Sequence, residues 1–153
     1  MNIHNDFEEF LQLLNAETVE FVIVGGYAVA FHGYARATDD LDLFFRNTRE
    51  NINHIRHALD RFGLATTEAQ ATEFADSGNI VRMGIAPVRI EMMNSISGLT
   101  FEEVWQNRIS GIYGETPVFY ISLADLIKNK RASARPKDLA DVDELGGNRD
   151  VSS

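Results

Sequence analysis

Residues 21–45 read FVIVGGYAVAFHGYARATDDLDLFF, and the order of apolar runs, glycines and acids in this stretch decides the fold. FVIV is an apolar, β-prone run that stops at Gly25-Gly26, the pattern of a buried strand ending in a tight turn. Residues 27–32, YAVAFH, suit a short helix closed by Gly33. From Thr38 to Phe45 alternation gives way to a continuous apolar run, which predicts a second strand. Within it Asp40-Leu41-Asp42-Leu43 alternates acid and leucine, so both carboxylates face one side while Leu41 and Leu43 face the core.

The flanking sequence supplies the other layers. Phe7, Phe10, Leu11 and Leu14 recur at helical spacing between Asp6 and Leu14. Ile52, Ile55, Leu59 and Phe62 mark a helix over Asn51 to Phe62, ended by Gly63. The polar stretch 65–78 reads as irregular or weakly helical. NIVRMGI (79–85) and PVRIEMM (87–93) form a hairpin broken near Ala86-Pro87. A short helix is expected over Phe101 to Trp105, with Trp105 in the core, and strands around 109–113 and 117–121. Ser122 caps a helix through about Arg131, with Asp125 completing an acidic capping box, and a last helix runs from after Pro136 to Leu145. The expected fold class is α/β (α+β), a small mixed β-sheet flanked by helices. One domain is expected over residues 1–146, with a frayed tail over 147–153.

Composition bounds the function. The 153 residues carry 23 Asp+Glu against 14 Lys+Arg, a formal charge of −9, so bulk-charge binding to nucleic acid or anionic lipid is excluded. The chain has no cysteine, which excludes disulfides, thiolate nucleophiles and Cys-ligated zinc. The N-terminal MNIHNDFEEF lacks a signal-peptide pattern, and no apolar run approaches the ~20 residues of a membrane span. A cytoplasmic protein is expected.

Chemistry concentrates in a few residues. Two like charges two residues apart on a strand repel; they are tolerable when solvated, and useful when a divalent cation neutralises them. A solvated edge strand is the plain alternative. Glu91, between Ile90 and Met92, offers a third acid able to complete a three-carboxylate site, although Arg89 on the same face could simply pair with it. Gly25-Gly26 suits close backbone approach to phosphate or a mere turn. Five of the fourteen cations, Lys128, Lys130, Arg131, Arg135 and Lys137, fall within KNKRASARPK, as a polyanion contact or a solvated helix end. His32 has no second histidine at zinc spacing, and no G-x-S-x-G elbow supports serine hydrolysis.

Gly25-Gly26 followed by Asp40-Leu41-Asp42-Leu43 resembles the signature of polymerase-β-like nucleotidyltransferases. The longer string G-G-x-A-x-x-x-H-G-x-x-R-x-T-x-D-L-D is similar to a small branch related to AbiEii-type toxins and minimal nucleotidyltransferases. The likeness continues at RIEMMNSISG and ISLADLIKNKRASARPKDLADVDEL. It departs where many relatives have Asp in place of Glu91. The resemblance implies Asp40, Asp42 and Glu91 as catalytic ligands of Mg²⁺ or Mn²⁺, and Gly25 and Gly26 as the loop accommodating the triphosphate. It implies Arg36, Thr38 and Lys130 as further nucleotide-site positions, with phosphate contact for Lys130. The implied activity moves a nucleoside monophosphate from an NTP to a hydroxyl of a protein, RNA such as tRNA, or small molecule, within or outside a toxin-antitoxin pair. The alternative is an antitoxin-like or regulatory binding module acting through a protein partner.

Overall fold

In the computed structural model, described over residues 3–35, 38–85 and 88–147, six strands form one mixed sheet ordered β3-β4-β2-β1-β6-β5. The expected turn at Ala86-Pro87, Arg36 and the tail beyond Gly147 lie outside the described residues. Strand β1 (Phe21–Val24) is central, antiparallel to β2 (Asp40–Phe45) and parallel to β6 (Thr116–Tyr120). On the far side of β2 lies parallel β4 (Val88–Met93), then antiparallel β3 (Ile80–Ile85); β5 (Ile109–Tyr113) closes the opposite edge.

The alternation of β2 is realised as expected. Leu41 and Leu43 are fully buried, whereas Asp40 and Asp42 are half-buried on the opposite face. The leucines join a core with Phe7, Phe10, Leu11 and Leu14 of α1 (Asn5–Ala16) and Ile55 and Leu59 of α3 (Arg49–Phe62). Burying a side chain of this size stabilises by about 1.5–3 kcal/mol, which is what sets the register of β2 against α1 and α3. Thr48 caps α3 by accepting from the Asn51 amide, and Gly63 ends it in the left-handed region.

Helix α2 (Gly25–Phe31) begins at the glycine pair itself, two residues earlier than expected. The stretch read as irregular or weakly helical contains α4 (Glu68–Ala75), started by a Thr67/Gln70 capping box. Helix α5 (Phe101–Asn107) has the same device in Thr100 and Glu103. Trp105 is half-buried rather than central, stacked on Phe101 at 5.5 Å and lying 3.9 Å beneath the Arg108 guanidinium.

The C-terminal helices are α6 (Leu123–Ser133) and α7 (Pro136–Glu144). Ser122 caps α6 as expected, but the capping box is not completed: the Asp125 carboxylate accepts from Asn107 instead. Among the described residues no helix is long and apolar enough to cross a membrane.

Candidate active site

Strand register gathers the acids. Asp42 of β2 stands beside Glu91 of β4, and Glu91 stands beside Arg82 of β3; one step along, Asp40 stands beside Arg89. One carboxylate oxygen each from Asp40, Asp42 and Glu91 lie within 4.8 Å of one another. An acidic pair on β2 and a third acid 49 residues beyond Asp42 thus share one small volume because two parallel neighbours align side by side.

Asp42 is the strained member. Burial first, then the neighbouring Glu91 and Asp40 charges, push its carboxyl up to about 7, with Lys130 pulling the other way. Its Oδ1 is buried and has no hydrogen-bond partner. A buried carboxylate oxygen left unpaired costs free energy unless something absent from the chain meets it. An oxygen-only donor set with that orphaned atom fits a hard divalent cation.

The glycine pair gives these acids room. Gly25 has φ +67°, and a β-carbon there would sit 2.0 Å from Asp42 Oδ2. At Gly26 a β-carbon would meet Thr38 Oγ1 at 2.6 Å. Thr38 in turn donates to the Asp40 backbone carbonyl at 3.3 Å. The side chains of Thr38 and Asp42 therefore occupy the space that the missing β-carbons leave.

Beside the acids opens a cavity of about 650 Å³. Asp40, Asp42, Glu91 and Arg82 form one wall; Lys130, Ser133, Arg135 and Lys137 at the α6–α7 junction form the other. Lys130 reaches this wall, but the residue is only 5% exposed and its ammonium pairs with Asp138 at 3.1 Å and Asp141 at 3.0 Å. Burial would raise Asp138, yet donors from Arg135, Ser133 and Lys130 outweigh it and hold the carboxyl down at about 2. The five-cation stretch is not one patch. Lys128 lies 3.9 Å from Glu103, Arg131 donates to the Gly147 carbonyl, and Arg135 holds Asp138 at 2.6 Å.

The Arg89–Glu91 pair that the sequence left open as an alternative does not form, and two other pairs stand in its place. Arg89 Nε donates to Asp40 Oδ1 at 2.7 Å, and Arg82 Nε donates to Glu91 Oε1 at 3.0 Å. Along a strand, side chains two residues apart lean less closely than cross-strand neighbours, so the ladder partner wins. Arg82, Ser133 and Asp138 were missed from sequence. For Arg82 a signal existed: a hairpin pairing Ile85 with Val88 forces Arg82 opposite Glu91. His32 hydrogen-bonds through Nε2 to the Ile121 carbonyl at 2.7 Å.

The sequence pattern of the family described as nucleotidyltransferase of unknown function (DUF6036) matches residues 1–148. Curated protein sequences give no match. Among solved structures the chain resembles the antibiotic-resistance factor ANT(2'')-Ia, with TM-score 0.60 and 14% identity over 93% of this chain and 81% of that one. The complex of ANT(2'')-Ia with adenylyl-2''-tobramycin aligns similarly, with TM-score 0.58, 15% identity and coverage of 92% and 86%. A nucleotidyltransferase-family protein of Thermotoga maritima aligns over 95% of this chain and 94% of its own, with TM-score 0.57 and 13% identity. At these identities the likeness is one of fold.

Proposed function

We propose, from the premise that this chain belongs to the DUF6036 family of nucleotidyltransferases, that it moves a nucleoside monophosphate from an NTP to a hydroxyl acceptor with Asp40, Asp42 and Glu91 holding divalent cation. The observation that carries the reading is the clustering of three carboxylate oxygens within 4.8 Å around a buried, unpartnered Asp42 Oδ1. Bound Mg²⁺ or Mn²⁺ would supply charge neutralisation for the phosphates and activation of the acceptor oxygen.

The chain's own contribution is positional. Asp42, walled in by Gly25 and Glu91, keeps one oxygen fixed toward the cavity. Asp40, two residues back on the same strand, and Glu91, directly across on β4, bring theirs beside it, and Glu91 would also accept the acceptor hydroxyl's proton. Gly25 and Gly26 serve the nucleotide indirectly, by letting Asp42 and Thr38 pack against the start of α2. Lys130 adds positive field at the cavity wall while its hydrogen bonds go to Asp138 and Asp141. Lys137, exposed at the same wall, is the side chain placed to meet a phosphate or an acceptor, while the exposed Arg135 beside it holds Asp138. The two roles divide by burial.

The test is incubation of the purified chain with Mg²⁺ or Mn²⁺, each labelled NTP in turn, and a panel of protein, RNA and small-molecule acceptors. ATP comes first, because a fold neighbour holds an adenylylated product. Transfer that disappears in Asp42→Asn supports the reading; no nucleotide binding and no transfer, identical in both forms, sinks it.

A further inference from the structure

Two of the three site acids already have a cation, and it is arginine. Arg89 holds Asp40 at 2.7 Å and Arg82 holds Glu91 at 3.0 Å, while Asp42 Oδ1 has no partner. Arg82 lies in the same cross-strand row as Asp42 and Glu91 and lines the cavity. Its side chain is 59% exposed, and that of Arg89 is 37% exposed. Both guanidiniums therefore reach the acids from solvent, on flexible stems that little else restrains.

Resting on the metal-dependent reading above, we propose that Arg82 and Arg89 are exchangeable counter-ions of the acidic triad. Each guanidinium leaves its carboxylate when a divalent cation takes that oxygen, and the freed Arg82 turns to the substrate's phosphates. The physical reasons are simple. Mg²⁺ binds oxygen at about 2.0–2.1 Å, and a guanidinium donating to the same oxygen would face it as a like charge. Each pair is open to solvent on its arginine side while Glu91 and Asp40 are 16% and 28% exposed, so the pairs are partly screened and the incoming cation takes over the carboxylate charge that displacement uncovers. A released guanidinium keeps a planar fork suited to phosphate, and the one lining the cavity is where a triphosphate would enter. Until cation arrives, the arginines lower the repulsion among three clustered acids.

The experiment uses the full chain in three measurements. In wild type, arginine Nε–Hε signals are followed by NMR during titration with MgCl₂, with Arg82→Gln and Arg89→Gln assigning the two signals. Both should move from paired to solvent-like positions as Mg²⁺ saturates. Mn²⁺ affinity, read by electron paramagnetic resonance of the free ion, should rise about two- to fivefold in each variant. A non-hydrolysable methylene ATP analogue with Mg²⁺ should bind severalfold more weakly to Arg82→Gln than to Arg89→Gln.

Arginine signals that stay paired at saturating Mg²⁺ overturn the proposal, and so does Mn²⁺ affinity unchanged or lowered in both variants. If wild type binds neither ion saturably, the metal-dependent reading itself fails. Saturable binding with static arginines defeats only the exchange. Should Arg82→Gln fold poorly, Arg82→Lys assigns the signal, and the wild-type titration decides unaided.

Discussion

Gly25 and Asp42 are packed so closely that a single methyl group on Gly25 would lie 2.0 Å from the Asp42 carboxylate oxygen. The contact joins the end of β1 to the middle of β2. It makes glycine a requirement of the site's geometry as well as of the backbone, whose φ is +67° there.

Gly25→Ala should cost about 1–2 kcal/mol for the left-handed backbone alone, more for displacing Asp42, and should lower transfer activity at least tenfold. Gly63→Ala is the control. Gly63 has φ +94° but nothing within 4 Å, so it should lose only the left-handed backbone cost of about 1–2 kcal/mol with activity intact. Chemical denaturation beside a transfer assay separates the two.

Asp42→Asn should abolish transfer and yet stabilise the metal-free protein at neutral pH. The Asp42 carboxyl is pushed up to about 7 in the fold from an ordinary value near 4, so the folded state holds a proton that the unfolded chain releases. Stability is then full below about pH 4 and falls as pH rises through about 7, by an amount of order 4 kcal/mol. Urea midpoints across this range should show the fall in wild type. They should not show it in Asp42→Asn, nor in wild type with excess Mg²⁺.

Lys130→Met should destabilise by about 3–5 kcal/mol, because it removes the buried cation that Asp138 and Asp141 share and leaves a net negative charge among buried groups. Thermal unfolding checks this. A smaller loss, under about 1 kcal/mol, would mean that water reaches the pair and that Lys130 is available to a ligand.

Acid should act on the same cluster with opposite sign to Asp42. Asp138 is held at about 2, below its unfolded value, so its contribution is present above about pH 4 and is lost as pH falls through about 2. Asp138→Asn should be less stable than wild type at pH 6 and converge on it near pH 2, as denaturation midpoints would show.

Asn51→Leu should cost about 2–3 kcal/mol. The Asn51 amide accepts from the Glu20 backbone N–H at 2.7 Å and donates to the carbonyls of Glu20 and Arg46 at 3.0 and 2.8 Å. Leucine leaves the Glu20 N–H unpaired and takes one of two donors from the Glu20 and Arg46 carbonyls, which keep the Arg46 and Thr48 amides. Calorimetry reads the loss.

The strands and most helices were legible because their apolar spacing is local: β2 declares its two faces within six residues, and α1 and α3 declare theirs within four turns. Helix α4 was legible only as an irregular or weakly helical stretch because it buries only Phe74 and so carries almost no stripe; its capping box was the sharper sign. The acids were legible as a pair on one strand and as a third on another, but their meeting depends on register. Lys130 read as a surface cation because a sequence of basic residues does not say which one turns inward.

By itself the sequence determined the alternation that turns Asp40 and Asp42 outward from Leu41 and Leu43, the glycines ahead of them, and the order of strands and helices, all consequences of side-chain period and backbone freedom over short distances. Only the tertiary structure decided which charge meets which. Arg89 faces Asp40, Arg82 faces Glu91, and Lys130 is buried between Asp138 and Asp141, because pairing across strands and helices follows ladder register and burial. Coulomb attraction acts on distance in space, and no spacing along the chain encodes that distance.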